Sequence, residues 1–175
     1  MDDGNPIEDS RKIRNLFSDL NCVFLKNEIN LGPGIARNNG LQHSYNELIY
    51  FLDADDYLIE DDVLEKVVLD MGKNKDYLLV KKFDEFNIPN GLSKDYCVRR
   101  KFLTHWGIDF GKFYFHEDAY FNILITAYSK YSFDQCITPY IGSFYRRSGK
   151  NRISNRGRQE VVLLHNILSK FLVIN

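Results

Sequence analysis

Cysteine is scarce in this chain, and the little there is does not pair. Cys22, Cys97 and Cys136 are odd in number, far apart and without metal-ligand spacing. That excludes a disulfide framework and reads as reduced, mostly buried thiols of a cytoplasmic protein. No apolar run is long enough to span a bilayer, and no signal peptide is visible. An excess of one charge is also missing. Lys and Arg number 23 against 24 Asp and Glu, a formal net charge of -1. Nothing global therefore points to nucleic acid. Internal repeats and low-complexity segments are absent. What is there is a chain of 175 residues with ordinary apolar content and plentiful aromatics. That length suits one domain with a single core, spanning 1–175.

The most informative stretch is Ile49-Tyr50-Phe51-Leu52-Asp53-Ala54-Asp55-Asp56. An unbroken apolar run from Leu48 to Leu52 predicts a strand buried on both faces, as in a parallel sheet. It stops at Asp53, Asp55 and Asp56. Carboxylates just past the carboxyl end of such a strand stand where open α/β sheets bind ligands. Acids packed this closely repel one another, so a cation or a partner base is expected beside them. The Asp-x-Asp pair offers hard oxygens suited to Mg²⁺ or Mn²⁺. A turn leading into an acidic helix start is an equal reading of these residues alone. An EF-hand loop is excluded, because Tyr57 and Leu58 fill its fifth and sixth positions.

Around this stretch the chain alternates. Ile13, Leu16, Phe17 and Leu20 predict a helix from about Glu8 to Leu20, and Val23 to Leu25 a short strand. Asn30 to Gly34 reads as a loop before a helix from Ile35 to about Tyr45. Ala36 and Gly40 would let that helix approach the sheet closely. Glu60, Asp61 and Asp62 open a helix with Val63, Leu64, Val67, Val68 and Met71 on one face, ended by Gly72. Tyr77 to Val80 is a strand. This order argues for an α/β sheet with covering helices. Phe83 to Ser93 reads as a loop, Arg99 to Trp106 and Glu117 to Ala127 as helices, and Ile137 to Tyr145 as extended. A polar, basic loop follows from Arg146 to Arg158, and a closing helix over about 160–173.

Taken together, several segments resemble family-two glycosyltransferases of the GT-A fold. Asp2-Asp3-Gly4-Asn5 is similar to the family's Asp-Asp-Gly-Ser turn, with Asn for Ser. Asn30-Leu31-Gly32 and Ala36-Arg37-Asn38-Asn39-Gly40 resemble its Asn-x-Gly and Ala-Arg-Asn-x-Gly segment, and Asp53-Ala54-Asp55-Asp56 its Asp-x-Asp motif. Arg99 to Leu103, Ile108-Asp109-Phe110 and Glu117-Asp118 resemble its acceptor side. Tyr145-Arg146 and Arg152-Ile153-Ser154 resemble its closing loop.

The resemblance implies a GT-A (Rossmann-like) mixed sheet with covering helices, and metal-dependent sugar transfer from a nucleotide-diphosphate sugar to an acceptor hydroxyl with inversion. Asp118 would be the general base and Asp55 the ligand of Mn²⁺ or Mg²⁺. Asp53 would contact ribose or help hold the metal, and Asp3 the nucleobase. Arg37, Arg146 and Arg147 would hold phosphate. The residues alone leave plainer roles open: a helix-entry acid at Asp118, a surface helix residue at Arg37, a turn former at Asp3, a solvated loop for the arginines. The acceptor would be a glycan or a lipid-linked one, and the protein cytoplasmic, with a place on the inner face of a membrane as a variant of that reading. In the family a strand, a helix and a strand precede the Asp-Asp-Gly turn, whereas here Met1 precedes Asp2. The expectation is a partial domain missing the leading β-α-β elements, with low activity in isolation, or completed by self-association or a second chain. The alternative is a non-catalytic binding module on the same scaffold.

Overall fold

In the computed structural model, residues 1–84 and 89–145 are described, with side-chain surroundings over 1–83 and 95–144. The chain divides into two compact units. The first takes residues 1–44 and 109–121, the second 45–108 and 122–145 of the described chain.

The first unit is built on a short parallel pairing of β1 (Asp2–Asp3) with β2 (Lys26–Asn27), joined through α1 (Ile7–Leu16). The turn after β1 needs glycine. Gly4 has φ 81°, and a Cβ there would stand 2.4 Å from the Asn30 backbone nitrogen. The expected strand at Val23 to Leu25 is not formed: only the Leu25 carbonyl joins, accepting from Asp2 N–H at 2.8 Å. α1 ends at Leu16, short of the expected Leu20, and buries no residue. Ile13, Leu16, Phe17 and Leu20 are all exposed, so its apolar spacing meets no core among the described residues. α2 (Pro33–His43) starts two residues earlier than expected, because proline fits the first helical turn. Its buried small residues are Gly34 and Ala36, not Gly40, around which a Cβ would find open space. The close approach is therefore made at the start of the helix, against Phe113 and Glu117.

The second unit holds a mixed five-stranded sheet. Its strands are β3 (Leu48–Phe51), β4 (Tyr57–Leu58), β5 (Tyr77–Asp84), β6 (Pro89–Arg99) and β7 (Ile137–Tyr145). Their order is β3-β6-β5-β7-β4, with β5 and β7 parallel and the remaining neighbours antiparallel. The expected parallel, doubly buried setting of the Leu48 run does not hold. β3 lies at one end of the sheet, antiparallel to β6, and only Ile49 of it is buried. A strand with one neighbour has less to cover it. The segment Phe83 to Ser93, read as a loop, instead carries the end of β5 and the first part of β6.

α3 (Val63–Met71) packs on one sheet face. Val63, Val67 and Met71 are buried with Leu78, Val80 and Cys97, and Leu48, Tyr50 and Leu58 lie against them. Spacing of four residues selects a narrow stripe, so Leu64 and Val68, expected on the same face, are exposed. Each fully covered side chain contributes about 1.5–3 kcal/mol. β7 passes close over this layer at Gly142, where a Cβ would meet Val80 and Val63. α4 (Arg100–Trp106) and α5 (Glu117–Tyr128) complete the helices, and the first turn of α5 belongs to the first unit. Of the cysteines, Cys97 and Cys136 are buried and Cys22 exposed, all free. Among the described residues no helix is long and apolar enough to cross a membrane. The basic loop with Arg146 and Arg147, and the expected closing helix, lie outside the described residues.

Candidate functional site

Within the second unit, Asp53 and Asp56 close a turn directly after β3, with Asp56 N–H donating to the Asp53 carbonyl at 3.1 Å. β4 follows at once and pairs with β7, at the opposite end of the sheet from β3. The acidic turn thus links the two outermost strands. The base expected beside it is Lys82 on β5, a residue the sequence reading did not single out. Its Nζ lies 2.5 Å from Asp56 Oδ2, 2.5 Å from Asp95 Oδ1 and 3.9 Å from Asp53 Oδ2. Tyr50 donates its hydroxyl to Asp95 Oδ2 at 2.8 Å.

The strand pattern explains this grouping. Leu78 and Val80 on β5, Cys97 on β6 and Tyr50 on β3 share the sheet face under α3. Lys82 and Asp95 lie at the end of the same rows, where the apolar layer gives way to charge. Lys82 is 2 % exposed, and burial alone would push its ammonium down. The Asp95 and Asp53 carboxylates and the hydrogen bonds to Asp56 and Asp95 more than reverse that, and hold it above the ordinary lysine value. The Asp56 side chain is fully buried, and its Oδ1 has no hydrogen-bond partner among the described residues. Asp53 is part exposed and Asp55 exposed.

These outer carboxylates are hard oxygen donors of the kind Mg²⁺ and Mn²⁺ take. Among the described residues no group of three or more His, Cys, Asp or Glu is arranged to hold an ion unaided. Magnesium-type sites are commonly made by one or two carboxylates and completed by substrate phosphate. On this chemistry Asp53 and Asp55 fit such an ion. Lys82 offsets part of the acid charge of this turn.

Within the first unit, Asp3 is the hub of the Asn30 to Gly32 loop. Its Oδ1 accepts from Asn27 Nδ2 at 2.7 Å and Leu31 N–H at 3.0 Å, and its Oδ2 from Gly32 N–H at 2.8 Å. Gly32, with φ 90°, brings that loop under the Tyr114 ring. On α2, Arg37 Nη1 donates to Glu117 Oε1 at 2.6 Å, and its guanidinium lies 5.3 Å from the centre of the Phe110 ring. Phe110 stacks on Phe121 at 4.0 Å. Asn38 extends the clamp by accepting from Phe110 N–H at 2.9 Å and donating to the Gly111 carbonyl at 3.1 Å. Burial pushes the Glu117 carboxyl up, against the pull of Arg37. Asp118 beside it is exposed, and its Oδ1 accepts from Ala119 N–H at 2.7 Å at the opening of α5. His116 precedes that helix in a left-handed conformation, φ 60°.

Comparison with known proteins gives the family. The family described as Glycosyl transferase family 2 matches residues 1–133. The chain belongs to that family. Among solved structures, S. aureus TarS residues 1–349 in complex with UDP-GlcNAc superposes with a TM-score of 0.76 over 89 % of this chain and 51 % of that one, at 19 % identity. TarS 1–349 alone and with UDP each give a TM-score of 0.70 at 19 % identity, over 82 % and 83 % of this chain. The chain spans about half the length of these structures. A sequence search of curated proteins finds no match. Likeness at this identity concerns the fold: an α/β domain with a mixed sheet flanked by helices, consistent with a GT-A-like core.

Proposed function

We propose that this member of the glycosyl transferase family 2 transfers a sugar from a nucleotide-diphosphate sugar to an acceptor hydroxyl, with inversion and with a divalent cation. The observation that carries the reading is the family match over 1–133, which takes in Asp3, Arg37, Asp53, Asp55 and Asp118. That TarS is seen with UDP-GlcNAc and with UDP supports a nucleotide-sugar donor.

Asp118 is the general base. Its exposed carboxylate accepts the acceptor hydroxyl's proton as that oxygen attacks the anomeric carbon. The bond from that carbon to the diphosphate breaks, and its electron pair leaves with the phosphate oxygen. Asp55, with Asp53, would hold Mn²⁺ or Mg²⁺, which would supply Lewis-acid neutralisation of that leaving charge. Asp3 keeps the Asn30 to Gly32 loop shaped for the nucleobase and accepts a hydrogen bond from it. Arg37, Arg146 and Arg147 supply cationic donors for phosphate.

A nucleotide-release assay with a panel of sugar nucleotides and Mn²⁺ tests the proposal. Asp118→Asn and Asp55→Ala both remove transfer, and only Asp55→Ala weakens metal-dependent nucleotide binding. Transfer indifferent to both changes overturns the enzyme reading in favour of a binding module.

A further inference from the structure

The acidic turn already carries a cation, and it is a side chain. Lys82 Nζ sits 2.5 Å from oxygens of Asp56 and Asp95 and 3.9 Å from Asp53. Lys82, Asp95 and the Asp56 side chain are 2 %, 1 % and 0 % exposed. Tyr50 fixes the far oxygen of Asp95, while Asp56 Oδ1 is left buried with no hydrogen-bond partner among the described residues. Without the ammonium, Asp56 and Asp95 would turn two hard carboxylate oxygens to one point, with Asp53 farther off, and such oxygens are the donors a divalent ion takes. Two places for a cation thus stand side by side: an inner one among Asp56 and Asp95, and an outer one at Asp53 and Asp55.

We propose that Lys82 is a positioning residue whose ammonium occupies the inner place, so that a divalent ion is confined to Asp53 and Asp55. A tethered cation is present before any donor arrives and cannot dissociate. It braces the turn through Asp56 and keeps an ion from settling behind it, out of reach of a diphosphate. Asp95 and Tyr50 serve the same end by anchoring the lysine from β6 and β3. The inference rests on the metal-dependent reading above, and its test separates the two.

Mn²⁺ is titrated, without nucleotide, into the full chain and into Asp55→Ala, Lys82→Met and the double variant, with free Mn²⁺ read by electron paramagnetic resonance. Asp55→Ala in the unaltered background weakens binding about tenfold, in the range seen for ligand-shell changes. Lys82→Met tightens binding about tenfold, because the inner carboxylates are released. In the Lys82→Met background the Asp55→Ala loss shrinks to less than about threefold, which makes the two changes strongly non-additive. Retention of the full Asp55 loss in that background overturns the proposal, whatever the affinity does. A lysine that only braced the fold would move the melting midpoint and leave the Asp55 dependence alone.

If Lys82→Met does not fold in chelator, its melting is followed as Mn²⁺ is added. Return of a cooperative transition supports a cation place that Mn²⁺ can fill, and failure to return counts against it. If the unaltered chain takes up no Mn²⁺ even when a nucleoside diphosphate is added to complete the site, the metal-dependent reading falls. Lys82→Met then still decides the inference: newly gained binding supports it, and none overturns it.

Discussion

The acidic turn of the second unit and the helix start of the first handle charge in the same way, to different degrees. In each, two neighbouring acids are split. Asp56 is buried on Lys82 while Asp55 stays exposed, and Glu117 is buried on Arg37 while Asp118 stays exposed. The buried member is tied to a base on another element, β5 in one case and α2 in the other. The exposed member is the one to which the proposed mechanism gives a ligand or a substrate proton. The difference lies in the base. Lys82 is nearly sealed and serves Asp56 and Asp95 at 2.5 Å. The Arg37 side chain retains 21 % exposure and serves Glu117 at 2.6 Å. A compact ammonium suits an enclosed carboxylate cage, whereas a planar guanidinium can pair with one carboxylate and also lie near the ring of Phe110. Burying one acid of a pair is thus a way to position the other.

If that parallel is right, function and stability should separate between the two members of each pair. The largest effect is on turnover. Asp118→Asn removes general-base assistance worth about 10²–10⁴ in rate. It moves stability by no more than about 0.5 kcal/mol, as for other exposed sites. Matched melting curves with collapsed transfer support the split; a large loss of stability would break it.

The buried members come next. Lys82→Met leaves Asp56 and Asp95 enclosed without their cation and costs about 3–5 kcal/mol. Arg37→Met exposes the same fault at a wetter site, and its cost falls to about 2 kcal/mol, between values for buried and exposed pairs. Denaturant unfolding of both variants checks the order. If Arg37→Met costs as much as Lys82→Met, the two units do not differ in the way their exposures suggest.

How far the residues alone foretold this is instructive. The stop of an apolar run at Asp53 was visible, because a change from apolar to acidic is a local pattern. So was the need for a base beside it, because repulsion among close carboxylates does not depend on the fold. Which base it would be was not visible. Lys82 lies 26 positions from Asp56 and is brought near it by the sheet, where Ser143 of β7 pairs with Lys82 on one side and with Leu58 of β4 on the other. Its only signal was a lysine pair, Lys81 and Lys82, directly after the unbroken apolar run from Tyr77 to Val80. The same limit applies to Arg37, whose partner is 80 positions away. The edge position of β3 was misjudged for a related reason: a short apolar run does not say how many neighbours a strand has. Arg146 and Arg147 lie outside the described residues and add nothing to this comparison.

The smallest effects concern the glycines of α2, and they test whether the first unit's clamp depends on close approach. At Gly34 a Cβ would stand 3.1 Å from Glu117 Cβ and 3.1 Å from the Phe113 carbonyl oxygen. If Glu117 and the Phe113 backbone do not yield by a few tenths of an ångström, Gly34→Ala pushes α2 away from the segment that presents Glu117 and Asp118, at about 1–2 kcal/mol for overpacking. At Gly40, mid-helix, a Cβ meets nothing within 4 Å. There alanine only reduces the freedom of the unfolded chain, and Gly40→Ala stabilises by about 0.5–1 kcal/mol. Two identical substitutions six residues apart should thus shift the unfolding midpoint in opposite directions. Because Glu117 sits against Gly34, only Gly34→Ala should also slow transfer. A pair of variants that both stabilise would mean that the α2 contact has slack, and that Arg37 reaches Glu117 without help from the closeness of the two backbones.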